Sequence, residues 1–181
     1  MKKIIFLLAF IIISCCVSTQ NTTTVSEINA TPNSKGALVG IANKHSFSIA
    51  PYKGWFTKKY SSYHPDPTVI KKLKKQLSGV TIKAFMGTWC GDSKEQTPVF
   101  YKVLAAVDFE ENKVQMITVN RSKKTPENLQ KGYNIIRVPT FIFYKKGIEI
   151  GRFVEYPQKT VEADFLHIVN GTGYRHSYQS N

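Results

Sequence analysis

The pentapeptide Trp89-Cys90-Gly91-Asp92-Ser93 holds the residue types and spacing best suited to covalent chemistry. Cys90 falls between an apolar run, Val80 to Met86, and a stretch of helical spacing from about Cys90 to Val107. A cysteine at a helix start meets unpaired backbone N–H groups and the positive helix end. Both favour the thiolate, which is the nucleophile of thiol chemistry. Gly91 lacks a Cβ and lets another chain approach closely. Ser93 lies one helical turn on, placed to donate a hydrogen bond to the sulfur. Asp92 suits the first helical turn, but its charge opposes a thiolate beside it. A lone cysteine is often a buried, inert thiol. The Trp-Cys-Gly setting at a strand-to-helix junction argues against that here. Lys94 and Glu95 read as solvated.

Other chemistries find little support. His45, His64, His167 and His176 show no metal-ligand spacing, so no metal is expected. No glycine-rich phosphate loop and no Ser-His-Asp signature occurs, and no cofactor is implied. The formal charge of +13 invites nucleic acid, anionic lipid or acidic partners. The lysines are mostly single or paired. The densest group, Lys71, Lys72, Lys74 and Lys75, falls on the polar side of an expected helix and reads as a solvated face. Nothing resembles a nucleic-acid motif, so no nucleic acid is expected as a partner.

The N-terminus reads as an export signal. Met1-Lys2-Lys3 is basic, and Ile4 to Ile13 is an apolar run too short to span a bilayer comfortably. It ends in Ile12-Ile13-Ser14-Cys15, which resembles the lipobox of bacterial lipoproteins. That resemblance implies lipidation of Cys15, cleavage before it, and attachment to a membrane through the lipid. Cys16 is a poorer modification site. Residues 17–35 are rich in Ser, Thr and Asn without periodic apolar residues, and read as a flexible tether. About 20 such residues span roughly 25 Å.

The elements that must hold Cys90 follow. Ala37 to Ala50 offers two short apolar stretches, as strands or an extended wrap. Tyr52, Trp55, Phe56, Tyr60 and Tyr63 form an aromatic segment, expected to be irregular and to add core over a sheet edge. Asp66 and Pro67 read as N-cap and first residue of a helix with apolar Val69, Ile70, Leu73 and Leu77, ended by Gly79. A strand at Val80 to Met86 and the helix after Cys90 come next. Lys113 to Asn120 alternates as a strand, and Thr125-Pro126 is expected to start a short helix. Thr140 to Tyr144 and Ile148 to Val154 pair as a hairpin across Lys145-Lys146-Gly147. A last helix runs from about Gln158 to Val169. The order β-α-β-α-β-β-α predicts a mixed sheet with helices on both faces.

Residues 80–170 resemble the thioredoxin family over its whole core. Trp89-Cys90-Gly91 matches the redox motif, and Pro98 falls at the proline of the active-site helix. Val138-Pro139-Thr140 resembles the cis-proline loop that faces the redox cysteine. The hairpin at Lys145-Lys146-Gly147 is also in place. The resemblance implies an α/β thioredoxin-like fold, a mixed central sheet flanked by helices, here with an N-terminal aromatic-rich extension. It further implies that Trp89, Gly91, Asp92, Arg137, Val138 and Pro139 border the substrate. Arg137, two residues before Pro139, either lies near the sulfur and offsets Asp92 or is an exposed loop residue. The chain also resembles thioredoxin-like lipoproteins carrying Trp-Cys-Gly-Asp-Ser.

Three departures matter. The family's second cysteine is Ser93. Its buried acid aligns with Ala84, and the lysine partner of that acid with Met116. Loss of both members leaves no unpaired buried charge. Cys90 can form a mixed disulfide or a sulfenic acid, but no disulfide within the motif. The expectation is a monothiol oxidoreductase-like protein, lipid-anchored in the bacterial cell envelope on the periplasmic side. It would act on cysteine-containing envelope proteins or small thiols, with Cys90 as nucleophile and Ser93 as stabiliser. The alternative is a redox-inactive module that binds proteins in the same groove. The expected organisation is a signal peptide at 1–14, a tether at 15–35, the extension and helix at 36–79, the core at 80–171 and a C-terminal tail at 172–181.

Overall fold

A computed structural model describes residues 27–179. Cys15, Cys16, the expected signal peptide and the first part of the expected tether lie outside the described residues. Among the described residues no helix is long and apolar enough to cross a membrane.

Six strands form one mixed sheet: β1 (Thr31–Pro32), β2 (Leu38–Ala42), β3 (Val80–Met86), β4 (Val114–Thr118), β5 (Thr140–Lys145) and β6 (Ile148–Val154). Their order is β1-β2-β4-β3-β5-β6. β3 and β4 run parallel, and the other pairs are antiparallel. The helices are α1 (Lys53–Ser62), α2 (Pro67–Lys74), α3 (Gly91–Ala106) and α4 (Val161–Val169). The mixed α/β architecture agrees with the sequence expectation.

Alternation along β3 divides the core. Val80, Ile82, Ala84 and Met86 join the buried side chains of all four helices, including Phe56, Leu73, Phe100 and Phe165. Phe100 stacks on Phe141 at 4.3 Å, and Phe165 meets Phe143 edge-on at 4.8 Å. These contacts clamp α3 and α4 onto the sheet. Phe85, on the opposite face, packs with Ile117, Val119, Val138 and Ile142. Among the described residues no helix supplies that cluster. The residues packed on it include Leu129, Tyr133 and Ile135, from the segment joining β4 to β5. The expected helices on both faces are therefore corrected. The short helix at Thr125-Pro126 does not form, and turns replace it. Thr125 caps the amide of Leu129 (3.0 Å), but Asn128, Gly132 and Asn134 all adopt positive φ, which a right-handed helix cannot continue through.

Two further expectations change. The aromatic segment is not irregular, because it forms α1. Tyr52, Phe56, Tyr60 and Tyr63 recur every three or four residues, and this stripe packs on Phe47 and on Tyr101 of α3. It adds core, as expected, but beneath α3; the sheet edge is extended by β2 instead. Residues 29–32, expected within the tether, instead join the sheet. The Asn29 and Ala30 amides donate to Ile41 O at 3.0 and 2.9 Å, and β1 pairs with β2. Gly40 permits this approach, since a Cβ there would meet Asn29 Oδ1 at 2.7 Å and Ala30 Cα at 2.9 Å.

The local signals around α2 hold. Asp66 accepts from the Thr68 and Val69 amides at 2.7 and 3.3 Å, with Pro67 first in the helix. The helix stops at Lys74, and Gly79 (φ +70°) turns the chain into β3. α4 begins three residues later than expected. Thr160 caps it, while Asp164 accepts from the Gln158 and Lys159 amides outside the helix.

Candidate functional site

The C-terminal end of β3 runs through Gly87, Thr88 and Trp89 to Cys90, which caps α3 with extended backbone (φ −93°, ψ 132°) and a half-buried side chain. Cys90 makes no side-chain cap, so its sulfur leaves the first-turn amides unclaimed. This short loop is pinned almost residue by residue. The Cys90 amide donates to Gly87 O (2.9 Å), and Thr88 Oγ1 accepts from the Leu38 amide (3.0 Å). The Trp89 ring folds over Gly87, where a Cβ would meet it at 2.6 Å, and its Nε1–H donates to Val119 O at 2.8 Å. Glycine is thus sterically required at 87. A Cβ at Gly91 would meet nothing within 4 Å, so that position lies open to solvent.

The second wall comes from the loop before β5. The Val138–Pro139 bond is cis. Cys90 Sγ donates to Val138 O at 3.3 Å. Thr140 Oγ1 donates to Arg137 O (2.7 Å), and the Glu155 amide donates to Pro139 O (2.8 Å). Val138 and Pro139 are buried. The structure therefore brings Trp89, Cys90, Val138 and Pro139 together across a gap of 48 positions in sequence.

One expected role is corrected, and one of the two readings of Arg137 is favoured. Ser93 is fully buried, and its Oγ accepts from the Gly87 amide at 3.2 Å. It forms no hydrogen bond with the Cys90 sulfur. One helical turn brings its hydroxyl under the loop backbone, so Ser93 fastens the β3–α3 turn. Arg137 is exposed, and its guanidinium carbon lies 5.1 Å from the ring centroid of Tyr178 in the C-terminal tail. The polar groups at the sulfur are instead Val138 O and Asp92, whose Oδ2 is 3.9 Å from Sγ.

Beneath the site, Ala84 and Met116 are direct register partners of β3 and β4, both buried. The aligned positions of the buried acid and lysine are an apolar contact here.

Arg121 and Tyr178 escaped the sequence reading. Arg121 sits 5.3 Å from the Trp89 ring centroid. Tyr178 donates to the Glu155 carboxylate, and that bond pushes its phenol up to about 12. The only local signal was a basic residue just past a strand end and an aromatic in a polar tail. Their partners are distant in sequence. Among the described residues no three His, Cys, Asp or Glu side chains gather as a metal site.

Comparison with known proteins gives a consistent result. A family profile described as thioredoxin matches residues 51–165. A thioredoxin of Aspergillus fumigatus is 29% identical over 98 residues, covering 54% of this chain and 86% of that protein. A thioredoxin of Mycoplasma genitalium is 31% identical over 100 residues, covering 54% and 92%. A crystal structure of a protein of unknown function from Pseudomonas aeruginosa superposes with a TM-score of 0.56 at 14% identity, covering 73% of this chain and 93% of that one, a likeness of fold alone.

Proposed function

Since the chain belongs to the thioredoxin family, we propose that it is a monothiol thiol–disulfide oxidoreductase-like protein, exported and held to a membrane of the bacterial envelope by a lipid on Cys15. Its substrates are cysteine-containing proteins of that compartment or small thiols. The observation that carries the reading is the placement of Cys90 Sγ 3.3 Å from Val138 O, beside Pro139, with a serine one turn further along α3.

The chemistry follows from these atoms. The Cys90 thiolate attacks one sulfur of a substrate disulfide. A Cys90–substrate S–S bond forms, the substrate S–S bond breaks, and the other sulfur leaves as thiolate. The backbone of Val138 offers an edge for an extended substrate segment. Ser93 carries no thiol, so a second thiol, from the substrate, a small molecule or another protein, must attack the mixed disulfide to regenerate Cys90. Ser93 and Trp89 act by fixing the turn that presents the sulfur.

The test uses the full chain carrying Cys15→Ser and Cys16→Ser, which leaves Cys90 as its one thiol. A disulfide substrate should give a stable 1:1 adduct that added thiol releases, and further Cys90→Ala should abolish it. Ser93→Cys should shorten the adduct's life by supplying a resolving thiol. If Cys90 in the folded protein reacts with neither disulfides nor alkylating reagents, the redox reading fails and a protein-binding module takes its place. Separately, Cys15→Ala in cells should abolish acyl labelling and leave unprocessed precursor. Labelling at the wild-type level would refute the anchor.

A further inference from the structure

Two arginines adjoin the residues that build the site, and each lies over an aromatic ring. The guanidinium of Arg121 lies over Trp89, the residue that adjoins Cys90. The guanidinium of Arg137 lies over Tyr178, and Arg137 adjoins Val138, whose carbonyl accepts from the Cys90 sulfur. The second platform is tied to the same loop. Tyr178 donates to Glu155, and the Glu155 amide donates to Pro139 O. Both arginines are exposed, and neither takes part in the ion pairs formed among the described residues.

A guanidinium stacked on a ring keeps its in-plane N–H groups free. Those donors match the fork of a carboxylate. The segment between β4 and β5 adds Lys123, Lys124 and Lys131, so residues 120–137 contain five basic side chains against one acid, Glu127. Glu95, on α3, is already paired with Lys59 at 2.5 Å. Glu155, which accepts from Tyr178, and Glu127 oppose the pattern, and so does Asp92. Its contact with the sulfur disfavours an acidic side chain at the reacting cysteine itself, so carboxylates one or more residues away must carry recognition.

We propose that this groove selects acidic cysteine-containing polypeptides, with carboxylates flanking the substrate disulfide on Arg121 at one side and Arg137 at the other. The inference rests on the exchange chemistry proposed for Cys90 and names its substrate class. Such a rim acts mainly on encounter, raising association rates by about tenfold or more at low ionic strength.

The experiment compares two synthetic peptides of equal length. Each carries one cysteine in disulfide linkage to the same uncharged leaving thiol, flanked by Asp and Glu in one and by Lys in the other. The protein is the full chain with Cys15→Ser and Cys16→Ser. The acidic peptide should react roughly tenfold faster at low salt, with the advantage shrinking as salt rises. Arg121→Gln with Arg137→Gln should remove most of it. Lys71→Gln with Lys72→Gln, an equal charge change on α2, should leave it in place. Equal rates, or a faster basic peptide, would overturn the inference while leaving the exchange reading intact. An equal loss in the Lys71 and Lys72 variant would also overturn it, because net charge alone would then explain the preference. Reaction with neither peptide would overturn the exchange reading, and this inference with it.

Discussion

Thr97 follows Ser93 by one turn of α3, and its hydroxyl is fully buried without a hydrogen-bond partner. An orphaned buried hydroxyl costs about 1–3 kcal/mol. Ser93, by contrast, has a partner in the Gly87 amide. The two hydroxyls on one helix face therefore differ in consequence. Thr97→Val keeps the branching and removes the orphan. It should stabilise the protein by about 1 kcal/mol, seen as a higher urea midpoint at unchanged slope. A lower midpoint would show that the hydroxyl is engaged. Gly87 sits at the other extreme of constraint. Gly87→Ala drives a methyl into the Trp89 ring. It should cost about 1–3 kcal/mol and weaken the indole bond to Val119 O, observable as a shift in tryptophan fluorescence with a lower midpoint. An unchanged midpoint and spectrum would mean that Trp89 is not held as described.

Elements are joined here by tyrosine–carboxylate bonds. Tyr63 donates to Glu162 (2.7 Å), linking the α1–α2 connection to α4, and Tyr174 donates to Asp164 (2.9 Å), starting the C-terminal tail along β6. Tyr178 and Glu155 finish that path beside the Pro139 loop. The tail, β6 and the residues before β5 enclose a cavity of about 230 Å³, lined by Ile136, Thr140, Arg152 and His176 among others. Burial holds the His176 imidazole below its ordinary value of 6.5, the Arg152 charge adds to this, and Glu149 opposes it. A histidine depressed in the folded state contributes stability that is complete above the unfolded value and is lost as pH falls through it. Asp164 has the opposite sign, because burial raises it, and it acts only in the carboxylate range. Between about pH 7.5 and 5.5, therefore, wild-type stability should fall with a contribution that His176→Gln removes. Parallel urea-midpoint curves for the two proteins over that range would contradict this.

Across the described residues, the core beneath Cys90 is apolar where the family carries charge. The buried pair expected of the family is replaced by Ala84 and Met116, which pair directly in register between Met86 and the outer end of β3. Among the described residues no lysine or arginine is buried, and the buried carboxylates, Glu162 and Asp164, belong to α4. Ala84→Asp would place a carboxylate at a fully buried site facing Met116 and should cost at least about 3 kcal/mol. Adding Met116→Lys should recover part of that loss, giving a favourable coupling in a double-mutant cycle. Strict additivity would mean that the two positions do not meet, contrary to the β3–β4 register.

How much could be read directly depended on how far apart the interacting residues lie. Trp89-Cys90-Gly91 at a strand-to-helix junction, the Asp66-Pro67 helix start and the hairpin at Lys145-Lys146-Gly147 were legible because caps, turns and alternation act over a few residues. The spacing of Tyr52, Phe56, Tyr60 and Tyr63 was equally local. It specified α1, although its polar interruptions suggested an irregular segment. Resemblance placed Val138 and Pro139 near the thiol, but only the tertiary structure decided which atoms meet the sulfur. Val138 O comes from 48 positions away, and Val119 O reaches the Trp89 indole from 30. Ser93 turned from the sulfur because the backbone at Gly87 lay within reach. Arg137 settled on Tyr178 because the tail folds back across β6. The segment 120–137 stayed non-helical because its left-handed residues fit the turns that cover the sheet. Local chemistry wrote the nucleophile and the elements that carry it. Chain closure over long separations chose its neighbours, since no short-range pattern records which distant groups the sheet will bring together.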